Sequence, residues 1–199
     1  MSPQTPRGVG PAGKLLELST ASALTALSLV LHIFKFPYPP APFLKFDGVG
    51  IPLAVLALYS WRTSLAVLPV IFIGLHLMGA DFVGASMKIA AEASTFIPLS
   101  LLYSYLCLRR AHVKYYAVPV VIGAISRILV MSLLNYIITP HWLVLTYGWT
   151  YDRAYSVTIA LLPHIAVFNA IAASYVGALS IGVFRVVSKT LGIGGTRTP

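Results

Sequence analysis

A few polar side chains stand alone in long apolar runs, and these are where chemistry is possible. Lys88 and Glu92 lie four residues apart in one run. On a helix they therefore share a face. Arg127 and Asn135 interrupt a second run and Asn169 a third. At 1.5 Å per residue, Glu92 sits about 14 Å and Arg127 about 16 Å from the outer ends of their segments, so the two can meet. Charge in an apolar setting is expensive, and it marks either a ligand site or relay, or a clamp between helices. A Glu92–Arg127 pair, joined by Lys88, neutralises most of that charge. The carboxamides of Asn135 and Asn169 each offer a donor and an acceptor. They suit the imide or amide edge of a ligand, or equally a hydrogen bond from helix to helix.

Signatures of catalysis are missing from the sequence. The histidines His32, His76, His112, His141 and His164 are scattered over different segments, and Cys107 is the only cysteine. Thiolate-pair metal sites and internal disulfides are thereby excluded. No HExxH, GxSxG or P-loop occurs, so the chain is expected to carry no ATPase site, metal or cofactor of its own.

The elements that position these residues follow from composition. Of the 199 residues, 58% are hydrophobic and 10% charged, and the mean hydropathy is +0.85. A soluble domain carries about 25% charged residues, and a chain this size cannot hide such an apolar excess. The expected fold class is an all-α integral membrane protein, and the net charge of +9 fits basic flanks of membrane helices better than nucleic acid. Six spans are expected in a compact bundle: Lys14–Phe36, Gly48–Trp61, Ser64–Gly79, Phe82–Leu108, Tyr115–Ile138 and Ser156–Val187. The second and third are short for a bilayer, so they thin it locally or form a bent pair. A cleavable leader is the rival reading of the first run; Glu17, the length and the lack of a small-residue site oppose it. Pro37–Phe46, with four prolines, is expected as a stiff loop, and Thr139–Tyr155 as a polar, aromatic one. The domain reading is a flexible tail over 1–13, the membrane domain over 14–188 and a second tail over 189–199.

Basic residues set the orientation. With the N-terminus inside, Arg7, Lys14, Arg62, Arg109, Arg110, Lys114, Arg185, Lys189 and Arg197 are cytoplasmic. Lys35, Lys45 and Arg153 then lie outside, as do Asp47, Asp81 and Asp152. Both termini are expected inside. Tyr38, Phe43, Phe46, Trp142, Tyr147, Trp149, Tyr151 and Tyr155 fall in the outer loops, as an interfacial belt or as a lid over a planar ligand. Small residues recur at four-residue spacing in the sixth span (Ala166, Ala170, Ser174, Ala178, Gly182) and the first (Ser19/Ala23, Ser22/Ala26). Such stripes let helices approach closely. Internal packing is expected for the sixth span; the first is open to a partner.

Phe36–Pro52 (FPYPPAPFLKFDGVGIP) resembles the S components of energy-coupling-factor (ECF) vitamin transporters, most closely the riboflavin-specific branch. The matching positions are Pro42, Phe43, Leu44, Lys45, Phe46, Asp47, Ile51 and Pro52. Leu134-Asn135-Tyr136 with Pro140, and Phe168-Asn169, are similar to the family's fifth- and sixth-helix motifs. Val167 and Ala172 stand where that branch has proline and lysine. The resemblance implies a substrate-binding subunit without its own catalysis. It would capture a vitamin from outside and work with a transmembrane coupling subunit and two cytoplasmic ATPases. Riboflavin is implied as the ligand, held by Asn135, Asn169, Phe43, Leu44, Lys45 and Asp47; Lys88, the isolated charge of the fourth span, is added to them as a polar partner for its hydroxyls. Ser19, Ser22, Ala23 and Ala26 are implied as the partner interface. The alternatives are another vitamin, such as pantothenate, or a small lipid-modifying enzyme with Glu92, His164 and Arg127 at a water-accessible mouth.

Overall fold

The computed structural model describes residues 11–106 and 114–190. The expected basic cluster Arg109, Arg110 and His112, and Cys107, lie outside them, as do residues 1–10 and 191–199 of the two expected tails. The described chain is α1 (Pro11–Leu31), a hairpin of β1 (Phe36–Tyr38) and β2 (Ala41–Phe46), α2 (Gly50–Ala66), α3 (Leu68–Leu77), α4 (Phe82–Leu106), α5 (Lys114–Tyr147) and α6 (Tyr151–Thr190).

Four helices are long and apolar enough to cross a bilayer: α1, α4, α5 and α6. The short second and third segments form a broken pair, α2 and α3, bent by 75° at Val67. Pro69 favours the restart of the helix in its first turn. Ser60 takes a non-helical conformation inside α2. Its hydroxyl bonds Thr63 Oγ1, which in turn donates to Glu17 of α1, so the break is tied to a neighbouring helix.

α2 is the centre of the bundle. Pro52 to Leu58 are all buried, with Leu53, Leu56, Ile71, Leu75, Phe96, Leu99 and Val176 forming the core around them. α5 and α6 pack along each other, and α4 packs on α5 and α2. Gly177 makes the close approach possible, since a Cβ there would lie 2.8 Å from Leu99 Cδ1. The opposite faces expose large aliphatic residues such as Leu129, Leu133, Ile137, Val167, Ile171 and Leu179. That is the inverse of a soluble surface and suits lipid.

Three expectations change. Thr139–Tyr155 is not a loop: α5 continues through Pro140 to Tyr147, and only Gly148 to Thr150 connect it to α6. A proline in an apolar helix removes one backbone bond, which neighbouring helices and side chains can offset. The helix stops instead at Gly148, whose φ of +66° is a left-handed cap. Pro37–Phe46 is not helical, but it adds a hairpin to an otherwise all-α fold, with Pro39 and Pro40 in its turn. The third change is in α6. Ser174, Ala178 and Gly182 face outward rather than into the bundle. The packed face is the adjacent stripe Ile165, Asn169, Ala172, Ala173, Val176 and Ser180.

A two-stranded hairpin is not stable by itself, and this one is held by rings of α6. Phe46 lies 4.5 Å and Tyr38 5.9 Å from Phe168, centroid to centroid, and Tyr38 also meets His164 at 6.4 Å.

Candidate functional site

Beneath the hairpin the buried polar residues form one chain of ion pairs. α1 buries Ala21, Thr25 and Ser28 on one stripe, and the buried His32, just past its end, closes the stripe next to the hairpin. Its Nδ1 is 2.9 Å from Asp47 Oδ2. The other Asp47 oxygen takes Lys88 Nζ at 2.5 Å and the backbone N–H of Val49 at 3.2 Å. Tyr175 on α6 donates to the Asp47 carbonyl. Asp47 thus joins the hairpin to α1, α4 and α6. Burial alone would raise its pKa, but the His32 hydrogen bond and the Lys88 charge outweigh that and hold it below the usual 3.8.

Lys88 Nζ continues to Glu92 Oε1 at 3.5 Å, and Glu92 Oε2 faces Arg127 Nη1 at 3.4 Å. Arg127 Nε donates to Asn169 Oδ1 at 3.0 Å, and its Nη1 to Thr95 Oγ1 at 3.2 Å. Glu92 and Arg127 are about as buried as apolar core residues. Gly50 leaves room for the Glu92 carboxylate, because a Cβ there would overlap Oε2. Asp47 and Glu92 are thus set against Lys88 and Arg127, acid against base, which is the condition for burying them.

Asn135 is buried on α5, with Nδ2 donating to Met131 O at 2.7 Å and Oδ1 accepting from Thr139 at 2.9 Å. Asn169 Nδ2 donates to Ile165 O at 2.8 Å. Neither amide bonds the other.

A cavity of about 370 Å³ opens among these groups. Its lining includes Phe43, Leu44 and Lys45 of the hairpin, Asp47 after it, Lys88 of α4, Asn135 of α5 and Asn169 of α6. Arg127 also faces it, so one member of the expected clamp is part of the wall, with Glu92 behind it. His32, Asp81, Met131 and Thr139, which no sequence motif marks, complete it, together with Trp142 of the expected belt or lid and Phe168 of the sixth-span motif. His32 had a signal, the polar stripe that it extends along α1. Thr139 and Trp142 reach the cavity because α5 continues through Pro140 to Tyr147. A smaller, mostly apolar cavity of about 290 Å³ adjoins, sharing Phe43, Thr139 and Trp142 and adding Tyr147 and Trp149.

Other expected residues lie elsewhere. Ser19, Ser22, Ala23 and Ala26 form an exposed face of α1 turned away from its buried stripe. Ala172 is buried and absent from the cavity lining. His164 is exposed against Tyr38 and, among the described residues, has no hydrogen bond or ion pair to Glu92 or Arg127.

No family model matches the chain, and no curated protein does. Among solved structures it is similar to the S component of a bacterial ECF transporter. The TM-score is 0.70 at 24% identity, over 89% of this chain and 98% of that one. The likeness is one of fold across nearly the whole length of both chains.

Proposed function

We propose that this membrane protein is the substrate-binding S component of an ECF-type transporter. In this reading it is a transport subunit, not an enzyme, and it crosses the cell membrane with both termini in the cytoplasm, the bent α2–α3 pair supplying the second and third of six spans. Its ligand is a vitamin, riboflavin or a related flavin, captured at the hairpin side. A transmembrane coupling subunit and two cytoplasmic ATPases then drive release inside.

One observation carries the reading: six residues of the sequence motifs, Phe43, Leu44, Lys45, Asp47, Asn135 and Asn169, line the same cavity, together with the isolated charge Lys88. Its size falls at the lower end of small-molecule sites. Its walls combine flat apolar groups (Phe43, Phe168, Trp142) with converging polar ones (Asn135, Asn169, Arg127), the mixture that binds a planar, polar-edged molecule. Rings of the hairpin packed on α6 form a cover that can exclude water.

Purification from riboflavin-fed cells tests it. The expected protein is yellow, and the apo form quenches added riboflavin's fluorescence to a saturable end point. A colourless preparation that ignores riboflavin but is stabilised by pantothenate would reject the flavin and keep the transport role. Stabilisation by ligand follows from binding to the native state alone.

A further inference from the structure

Hydrogen bonds inside the cavity wall fix what the ligand must offer. A guanidinium only donates, so the Arg127–Asn169 bond forces the amide oxygen toward Arg127. Nδ2 of Asn169 faces Ile165 O and spends one of its two hydrogens there. Asn135 is set the same way, oxygen toward the Thr139 hydroxyl and nitrogen toward Met131 O. Each amide keeps one N–H. A cation on the oxygen of Asn169 polarises that amide further as a donor. Arg127 engages Nε and Nη1, and among the described residues its Nη2 has no hydrogen-bond partner. All three side chains line the cavity.

Acceptors are fewer there. Asp47 is the buried carboxylate of the lining, and it already serves His32, Lys88 and Val49 N; His32 Nε2, buried and without a hydrogen-bond partner among the described residues, is the one further ring nitrogen that this wall offers. The buried charges balance without a ligand, Asp47 and Glu92 against Lys88 and Arg127. A charged group brought to this buried end would have only the exposed Lys35, Lys45 and Asp81 of the lining to compensate it, a poor exchange for its hydration in a low-dielectric setting.

We infer that the buried end of the ligand is a neutral, acceptor-bearing group, ring carbonyls or ring nitrogens as in a lactam or imide, and that Arg127 selects it. Arg127 does so directly through Nη2 and indirectly by orienting Asn169. The inference rests on reading this cavity as the substrate site. It replaces the balanced donor–acceptor match expected of two carboxamides with a wall in which the free donors of Asn135, Asn169 and Arg127 outnumber the acceptors.

The full-length protein in detergent is titrated with riboflavin and lumichrome (neutral ring carbonyls), pantothenate (a carboxylate) and thiamine (a cation). Three proteins are compared: wild type, Asn135→Asp, and the charge-neutral double variant Arg127→Gln/Glu92→Gln. Asn135→Asp replaces the N–H by oxygen at constant shape, and it carries the test if the double variant does not fold. The ring compounds are expected to bind the wild type alone among the probes, and to weaken about tenfold or more in each folded variant, as the loss of one or two ligand hydrogen bonds predicts. Preferred binding of pantothenate or thiamine overturns the inference but leaves the transport reading intact, as does undiminished binding of the ring compounds to the variants. No binding by any probe overturns both.

Discussion

Gly50 offers a sharp test of the buried ion chain. On helix propensity alone, Gly50→Ala in the first turn of α2 should stabilise, by up to about 1 kcal/mol. The site demands the opposite sign. The new Cβ would overlap Glu92 Oε2, and would lie 2.9 Å from Glu92 Cδ and 3.1 Å from Val176 Cγ1. Overpacking of this kind costs about 1–3 kcal/mol. If the carboxylate swings away, Arg127 loses its acid, and breaking a buried pair costs about 3–5 kcal/mol. The Lys88 contact through Oε1 persists in either case, so the expected loss lies near the lower figure, about 2 kcal/mol. Glu92→Asp withdraws the carboxylate by one methylene and should relieve the clash. Unfolding of wild type, Gly50→Ala, Glu92→Asp and the double variant, followed by circular dichroism in detergent, gives the coupling. A coupling of about 1 kcal/mol or more is expected, within the range for residues in contact. A Gly50→Ala protein as stable as wild type, or variants additive within about 0.5 kcal/mol, would refute the placement of Glu92 against α2.

Two further outcomes follow from the same geometry. Because the Asp47 pKa is held below 3.8, its contribution to stability is complete above that pH and disappears as pH falls through the lower folded value. A melting curve measured against pH should therefore be flat in this contribution from pH 5 to 7 and fall in stronger acid, and Asp47→Asn should lose that acid limb while melting lower at neutral pH. On α1, the exposed Ala23 tests the proposed partner face: Ala23→Trp should leave riboflavin titration unchanged but abolish co-purification with a coupling subunit and ATPases, and retained assembly would remove α1 from that interface.

The residues of the site were legible one at a time. Isolated charge and amide groups in apolar runs are costly, so each must be paired or used, and that singled out Lys88, Glu92, Arg127, Asn135 and Asn169. The proline-rich segment could only be non-helical. Depth counted along the helices brought Glu92 and Arg127 to one level, where the structure has them 3.4 Å apart. The face of α6 was harder to read. Both of its stripes contain small residues (Ala172, Ala173 and Ser180 on the packed one, Ser174, Ala178 and Gly182 on the outer one), and a lipid-facing side lacks the charged residues that mark a water-facing one. The end of α5 was misread because Pro140 and nearby aromatics look like a loop, whereas an apolar helix flanked by neighbours tolerates one missing bond.

Composition and periodicity alone determined a helical membrane protein, and local chemistry determined which side chains were too expensive to be idle. Only the tertiary structure decided that Asp47 is the knot joining the hairpin to three helices, and that both amides turn nitrogen, not oxygen, into the remaining hydrogen-bonding role. Those facts depend on partners 15, 41, 42 and 128 residues away in sequence. No local pattern encodes them, because they arise where separately stable helices are pressed together and each buried polar atom must find whatever partner the packing supplies.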